Sequence, residues 1–189
     1  MSCHHQDRFC LLMLPNTNIT FLDIGCHHPI GANNTFLLEN YANGRGIGFD
    51  IHDWSKEWAG ARQNKFIHAD ATTFKWSEEL PNYPIFSNKV IDYISFDVDD
   101  ATLSAFNNFP WKEYEFKVMT IEHDRYRVGD ETCNATRKVL RDLGYELICE
   151  DVIAEGYGEF EDWWVNPKYV DMNIAEKLRC KSVDSRFIM

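Results

Sequence analysis

Short apolar runs alternate along this chain with stretches in which apolar residues recur at helical spacing. Runs rich in β-branched and aromatic side chains are typical of buried strands, and spacings of three and four are typical of helices. The runs predict strands at 19–24, 46–50, 66–69, 90–98, 116–122 and 146–152. The stretches between them predict helices at 35–41, 55–63, 101–109 and 131–143, with Gly144 in the position of a C-cap.

The order of these elements predicts the fold class. Strands that alternate with helices are typical of a doubly wound α/β fold, in which a mostly parallel sheet carries helices on both faces. A late apolar run at 162–165, after Gly156 and Gly158, predicts an antiparallel last strand. We expect residues 1–189 to form a single domain, with residues 1–18 as an N-terminal extension and residues 173–189 as a charged peripheral tail.

Two strand ends carry the first chemical signal, ITFLDIG at 19–25 and GIGFD at 46–50. Ligands of an open parallel sheet lie beyond the carboxyl ends of its strands. Gly25 would let the backbone approach a ligand there, and Asp50 would accept hydrogen bonds from ribose hydroxyls. The next loop, CHHPIG at 26–31, lacks the G-x-G-x-x-G spacing of dinucleotide sites, which argues against NAD or FAD.

Acidic residues end four of the predicted strands: Asp23, Asp50, Asp70 and Asp97. Carboxylates accept hydrogen bonds and attract cations, so four of them along one edge of a sheet suit a ligand with ribose hydroxyls, an amino group and a positive charge. S-adenosylmethionine (SAM) has all three features and no phosphate. We therefore predict SAM as the cofactor.

Charge and composition limit the classes of molecule that the protein is expected to bind. The chain has 30 acidic and 19 basic residues among 189, a net charge of −11, which disfavours nucleic acid and anionic membranes as partners. Its hydrophobic fraction of 44% is sufficient for one sizeable core. The six cysteines show no C-x-x-C pairing, and the apolar run at 9–14 is too short for a signal peptide. We expect a cytoplasmic protein that binds neither nucleic acid nor a membrane.

Six segments carry a resemblance to a known family: FLDIG at 21–25, NTFLLE at 34–39, GIGFD at 46–50, IDYISFDVDDATL at 91–103, TIEHD at 120–124 and EDWWV at 161–165. In these segments, within residues 19–167, the chain resembles the FkbM family of SAM-dependent methyltransferases. The resemblance implies a Rossmann-like methyltransferase that methylates a hydroxyl of a sugar, a glycan or a small natural product.

The resemblance also implies roles for individual residues. Asp50 would bind the ribose hydroxyls, Ile51 would pack on the adenine, and Asp97 would lie nearest the sulfonium and the incoming hydroxyl. The residues that it places around the cofactor are Asp23, Gly25, Cys26, His27, Asn34, Asp50, Ile51, Asp70, Ala71 and Asp97.

One segment departs from the family pattern. Where the family has Val-Glu-Gly-Ala-Glu after the acid, this chain has Val-Asp-Asp-Ala-Thr at 98–102. The cofactor assignment rests mainly on other strands, so this change bears on the substrate and on any catalytic role of Asp99. It supports an alternative function, a catalytically inactive SAM- or nucleoside-binding module that serves as a partner domain.

The reaction needs help in removing the proton of the acceptor hydroxyl, because a neutral alcohol is a weak nucleophile. We predict His123 as the first candidate base and Asp97 as the second. A divalent cation such as Mg²⁺ is the alternative, with candidate ligands Asp97, Asp99, Glu122 and Asp124, although acids at strand ends also serve as caps.

Two further interpretations concern a zinc site and the two tryptophans of the predicted last strand. Cys3, His4, His5, Cys10, Cys26, His27 and His28 are conceivable zinc ligands, but they lack the paired spacing of structural zinc sites. A metal-dependent hydrolase or oxygenase built on these histidines is a third functional class. Trp163 and Trp164 fit either core packing or stacking on a sugar ring.

Overall fold

The computed structural model describes residues 2–15 and 17–188, so residues 1, 16 and 189 of the predicted extension and tail lie outside the description. The strands are β1 Thr20–Ile24, β2 Arg45–Asp50, β3 Lys65–His68, β4 Val90–Phe96, β5 Glu115–Glu122, β6 Glu146–Ile153, β7 Glu159–Val165 and β8 Cys180–Lys181. The α-helices are α1 Gln6–Met13, α2 Phe36–Tyr41, α3 Ser55–Ala61, α4 Trp76–Glu79, α5 Thr102–Asn108, α6 Arg125–Val128, α7 Glu131–Asp142 and α8 Met172–Leu178.

The strands form one sheet in the order β3-β2-β1-β4-β5-β7-β6-β8. Strands β1 to β5 pair in parallel, and β7 runs antiparallel to both β5 and β6. This confirms the predicted α/β class with its mostly parallel sheet. The predicted antiparallel strand is β7, but it is not the last, because β8 follows it and pairs in parallel with β6.

The sheet reverses its strand order between β1 and β4. From β1 the chain adds β2 and β3 on one side, and then returns to add β4 and β5 on the other. Loops that leave these two strands diverge, and such a reversal is where open α/β sheets bind ligands. The topology therefore places a binding site at the carboxyl ends of β1 and β4.

Aromatic side chains fill the core on both faces of the sheet. One cluster includes Phe96, Phe106 and Trp111 together with Trp164, and the other includes Trp163. Successive residues of a strand point to opposite faces, which is why the two tryptophans of β7 enter different clusters. Both are completely buried, so neither ring is placed to stack on a sugar.

Close contact between α3 and the sheet depends on a residue without a side chain. A Cβ at Gly48 in β2 would lie 2.2 Å from the Trp58 ring of α3, closer than any packing arrangement permits. Trp58 is buried, and its Nε1 donates to the carbonyl of Asn64 at 2.7 Å. Gly48 thus brings α3 against the sheet beside the candidate site.

The segment predicted as an N-terminal extension contains a helix that packs into the core. Residues 6–13 form α1, whose Phe9 and Cys10 are completely buried. The Phe9 and Trp163 rings lie 4.9 Å apart between centroids. The contiguous apolar residues of α1 lack helical spacing, so the sequence pattern did not predict this helix.

The charged tail also enters the fold. Ala175 of α8 is completely buried, and β8 extends the sheet beyond β6. The tail therefore lies at the edge of the molecule but contributes one helix and one strand. Among the described residues, every helix is too short or too polar to cross a membrane.

Candidate functional site

A cavity of about 520 Å³ opens at the carboxyl ends of β1, β2, β3 and β4. Seven residues of the predicted cofactor set line it: Gly25, His27, Asp50, Ile51, Asp70, Ala71 and Asp97. They come from four separate segments of the chain, and the parallel sheet brings them to one edge. Asp23, Cys26 and Asn34 of the same set do not line this cavity.

Gly25 fits a contact that excludes a side chain. Its φ is +82°, and a Cβ at this position would lie 1.5 Å from the carbonyl oxygen of Asp97. The backbones that follow β1 and β4 therefore touch at the floor of the cavity. Any larger residue at this position would push the two strand ends apart.

Asp50 joins two loops at the end of β2. Its Oδ2 accepts a hydrogen bond from the backbone N–H of His27 at 2.8 Å, and its Oδ1 accepts one from the N–H of His52 at 2.8 Å. Each carboxylate oxygen can accept a second bond, so these contacts orient the group and leave capacity for ligand hydroxyls. The sequence predicted Asp50 as a ligand-binding acid, and the structure adds its role in positioning the loops.

The far end of the cavity combines a carboxylate with apolar surface. Oδ1 of Asp70 accepts bonds from the N–H and the hydroxyl of Thr72, at 2.8 and 2.7 Å. These bonds favour the ionised form and hold the pKa of Asp70 below its usual value. Ile51 is 60% exposed and lines the same cavity, which suits a flat apolar ring.

The other three predicted residues support the cavity from behind. Asp23 is buried, and its Oδ2 accepts a bond from the Thr35 hydroxyl at 2.8 Å. Burial raises the pKa of Asp23 to about 6. Cys26 is also buried, and Asn34 donates to the Ser95 hydroxyl at 2.9 Å. Their side chains hold β1, β4 and the loop before α2 together.

A second cavity, of about 230 Å³, shares Asp97 and Ala32 with the first. It reaches the end of β5, helix α6, the β6–β7 turn and the segment before α1. The lining residues are Cys3, His4, Gln6, Ala32, Asn34, Asp97, Glu122, Asp124, Tyr126, Ala154, Tyr157 and Phe160. Asp97 thus belongs to both cavities.

Asp97 and Glu122 form a carboxyl pair at the boundary of the two cavities. They hydrogen-bond to each other, and burial raises the pKa of both, so the pair holds a proton more tightly than two separate carboxyls. Oε2 of Glu122 also accepts the backbone N–H of Asp99 at 3.0 Å. A protonated partner keeps the pair hydrogen-bonded in a site that disfavours two charges.

The candidate magnesium ligands lie close together, but they already have a cationic partner. Oxygen atoms of Asp99, Glu122 and Asp124 lie within 4.8 Å of one another. The Arg127 guanidinium contacts Asp124 and lies 3.6 Å from Asp99 and 2.7 Å from Oδ1 of Asp100. Arg127 therefore supplies positive charge at this cluster, where it would repel a magnesium ion.

His123, the first candidate base, lies elsewhere. Its ring is completely buried and lines neither cavity, and Nδ1 accepts the backbone N–H of Arg125 at 3.2 Å. Nε2 lies 3.4 Å from Oδ1 of Asp162 and 3.8 Å from Oδ1 of Asp151. Residues alternate across the end of β5, so Glu122 and Asp124 face the second cavity while His123 faces the opposite way.

The cysteine and histidine residues do not converge on a zinc site. Within residues 2–15 and 17–188, the close groups of three potential ligands are His123–Asp151–Asp162 and Asp99–Glu122–Asp124, and neither contains a cysteine. Arg137 bridges the first group, at 2.6 Å from Asp151 and 2.7 Å from Asp162. That group is a buried ion-pair cluster.

Several lining residues were not predicted from the sequence. Ala32, Tyr126, Tyr157 and Phe160 belong to no motif, and Cys3, His4 and Gln6 precede the first predicted strand. They meet only because α1, α6 and the β6–β7 turn pack around the end of β5. No local pattern signals such a meeting.

Comparison with known proteins supports the fold. No protein-family profile matches the chain, and no curated protein matches its sequence. Solved structures do match. A protein named as a candidate rRNA methylase from Clostridium thermocellum superposes with a TM-score of 0.56 at 15% identity, covering 87% of this chain and 94% of that one.

Two other methyltransferases give similar values. A TehB-like SAM-dependent methyltransferase from Corynebacterium glutamicum has a TM-score of 0.52 at 16% identity, covering 86% of this chain and 87% of its own. Precorrin-6y C5,15-methyltransferase from Geobacter metallireducens has 0.50 at 16%, covering 85% of both. The chain shares the Rossmann-like fold of class I methyltransferases.

Proposed function

We propose that this protein is a SAM-dependent methyltransferase of the FkbM type that methylates a hydroxyl of a sugar, a glycan or a small natural product. The observation that carries the proposal is the cavity at the β1/β4 reversal, where Asp50, Asp70 and Asp97 line one continuous space. The fold shared with methyltransferases and the sequence motifs support the same assignment.

The lining residues fit SAM in both shape and charge. Asp50 would accept bonds from the ribose hydroxyls, Ile51 would pack on the adenine, and Asp70 would accept from its amino group. Asp97 would face the positive sulfonium, and Gly25 keeps the floor free of a side chain. When bound, the cofactor supplies an electrophilic methyl group.

Asp97 is the residue best placed to accept the proton of the acceptor hydroxyl. It lines both cavities, so a group in the second cavity can approach it beside the cofactor space. Its hydrogen bond with Glu122 orients the carboxylate. The ring of His123 faces the ion-pair cluster, so we assign that residue a positioning role for the Arg125 backbone and not the role of base.

The acceptor in this proposal is a small molecule or a glycan and not a nucleic acid. Structural neighbours include proteins named for rRNA, but this chain carries a net charge of −11, and no lysine or arginine is among the described residues that line its second cavity. The negative net charge disfavours a polyphosphate chain. A cytoplasmic location is part of the same proposal.

Calorimetry and a transfer assay test the proposal together. We expect the wild-type protein to bind SAM and S-adenosylhomocysteine (SAH) and to transfer labelled methyl groups to at least one member of a panel of sugars and glycans. Absence of SAH binding would refute the cofactor assignment. Binding without transfer to any acceptor would favour the inactive module, and methylation of added RNA would refute the proposed acceptor.

Asp50→Asn tests the cofactor site at one residue. The amide keeps one acceptor oxygen but loses the charge and half of the hydrogen-bonding capacity, so SAH affinity should fall about tenfold, as for a lost bond of about 1.4 kcal/mol. Asp142→Asn, an exposed acid on α7, is the matched control. Equal SAH affinity in the two variants, measured by calorimetry, would contradict the assignment of Asp50.

A further inference from the structure

The second cavity has a wall that the proposed function does not explain. Cys3, His4 and Gln6 line it, although they precede every segment that resembles a methyltransferase motif. The cavity also reaches Asp97, the residue that we place beside the reacting groups. A segment outside the motifs therefore borders the space from which an acceptor would approach.

This N-terminal wall is held in place by specific contacts. The His4 ring lies 4.8 Å from the Phe160 ring, and Gln6 is buried and donates to Oε1 of Glu161 at 3.4 Å. The N–H and hydroxyl of Ser2 donate to the Asp7 carboxylate at 3.1 and 2.7 Å. Because α1 behind this segment is anchored in the core, the wall is a fixed part of the cavity.

Aromatic residues border the cavity on another side. The Tyr126 and Tyr157 rings lie 5.8 Å apart between centroids, and Tyr157 is 67% exposed. Gly158 lets the β6–β7 turn approach α6, since a Cβ there would lie 2.5 Å from the Tyr126 Cβ. Exposed aromatic faces of this kind offer stacking surface to a ring with apolar C–H groups.

Acids supply the polar part of the lining. Asp97, Glu122 and Asp124 contribute carboxyl groups, and Arg127 is engaged with Asp99, Asp100 and Asp124. Burial lowers the pKa of His4, so its ring adds no positive charge near neutral pH. The described lining therefore offers hydrogen-bond acceptors and has no cation free for an anionic group.

The size of the cavity limits the occupant. A volume of about 230 Å³ lies below the roughly 300–1,000 Å³ of pockets that hold drug-sized ligands, which suits one ring with its substituents. Larger acceptors would have to extend out past Tyr126 and Tyr157. The reacting part must therefore be a terminal or single ring.

We propose that the second cavity is the acceptor site, that Cys3, His4 and Gln6 form one of its walls, and that it accepts a single ring bearing hydroxyl donors and no anionic group. This inference rests on the proposed methyltransferase function. It adds the N-terminal segment to the binding site and excludes phosphorylated and carboxylated acceptors.

Binding of simple probes tests the proposal in the SAH-saturated protein. The probes are a panel of methyl hexopyranosides and their 6-phosphates, and binding is followed by saturation-transfer NMR and competition. We expect at least one glycoside to bind, and its 6-phosphate to bind at least about tenfold more weakly, because the lining has no free cation to pair with the phosphate and the Asp97 carboxylate repels it. A panel that fails to bind, or a phosphate that binds as well, would overturn the proposal.

Two substitutions locate the probe. Cys3→Trp should fill part of the cavity and weaken glycoside binding about tenfold or more, whereas Leu12→Trp places the same ring on the exposed side of α1. Tyr157→Ala should weaken binding severalfold, and Tyr41→Ala, at a tyrosine that is 75% exposed, is its control. Glycoside affinity equal to that of the controls in both variants would place the acceptor elsewhere.

Measuring SAH affinity distinguishes failure of the proposed methyltransferase function from failure of the proposed acceptor site. SAH affinity should be the same in all four variants and in the wild type, since none of the changed residues lines the first cavity. If the wild-type protein does not bind SAH, the proposed function is refuted. Normal SAH binding with no effect of Cys3→Trp or Tyr157→Ala would refute only the acceptor site.

Discussion

At the scale of single residues, the acids of this protein divide by environment. Asp70 accepts two short bonds from Thr72 and keeps a lowered pKa, which suits a carboxylate that meets a ligand as an anion. Asp23 and Glu161 are buried, and burial raises the pKa of each above its usual value. Similar residue types thus serve binding in one place and internal hydrogen bonding in another.

Glu161→Gln should change how the unfolding free energy depends on pH, because it removes a buried acid. Oε2 of Glu161 accepts the Trp163 Nε1–H at 2.5 Å, and burial raises its pKa from 4.5 to about 8. Between these values the unfolded chain releases a proton that the folded chain keeps, so stability falls as pH rises and the loss is complete above about pH 8.

The glutamine variant removes the charge and retains a carbonyl for Trp163. Its advantage in unfolding free energy over the wild type should therefore grow with pH, by at most about 1.4 kcal/mol per pH unit, and then level off. Urea unfolding at several pH values measures this difference. Glu57→Gln, at an exposed position of α3, should show no such trend, and a flat difference for Glu161→Gln would contradict the expectation.

Asp97 and His123 should respond differently to substitution. Asp97→Asn removes the proton acceptor that lines both cavities, so turnover should fall about 100-fold or more, while affinity for the uncharged sulfur of SAH changes little.

His123→Ala removes the acceptor of the Arg125 N–H and leaves a void, so stability should fall by about 1–3 kcal/mol with turnover nearly retained. Rate and urea-unfolding measurements on both variants give the comparison, and the reverse pattern would restore His123 as the base.

At the scale of elements, helix α1 joins the core to the second cavity. Its buried side carries Phe9, Cys10 and Met13, and its N-terminal end carries Gln6 beside the cavity. The end of β5 has a similar double role, because alternate residues face the cavity and the ion-pair cluster. The packing of α1 and of β5 therefore sets the direction of the polar side chains beside the second cavity.

Phe9→Ala should show how strongly α1 contributes to the fold. The ring is completely buried against Trp163, so its loss should lower the unfolding free energy by about 3–5 kcal/mol. Leu12→Ala, on the same helix but 44% exposed, should cost less than about 1 kcal/mol. Chemical denaturation measures both unfolding free energies. A loss for Phe9→Ala as small as the loss for Leu12→Ala would mean that α1 does not belong to the core.

At the scale of the whole molecule, we propose a single cooperative domain. One sheet runs through all the described strands, and both clusters of buried apolar residues take side chains from it. The acidic excess gives the surface a negative charge that disfavours polyanionic partners. No described region forms a sheet of its own.

Thermal unfolding should therefore show one transition, with the same midpoint by far-ultraviolet circular dichroism and by tryptophan fluorescence. SAH at about 100 times its dissociation constant should add about 2.7 kcal/mol of stability to that single transition. Two separated midpoints, or stabilisation of only one of two steps, would contradict a single domain.

Strands β1 to β7, the mostly parallel α/β class and the acids at the ends of β1 to β4 were predictable from the local sequence, whereas α1 and β8 were not. These features follow from local periodicity and from the rule that parallel strands end at one edge, so Asp50, Asp70 and Asp97 were predictable. Three-dimensional packing turns His123 away from the cavities, buries Asp23 behind the site, and places Cys3, His4 and Gln6 along a second cavity. The reason is physical: which way a strand end turns, and which distant segments meet around it, depends on packing between parts of the chain that carry no local signal of each other.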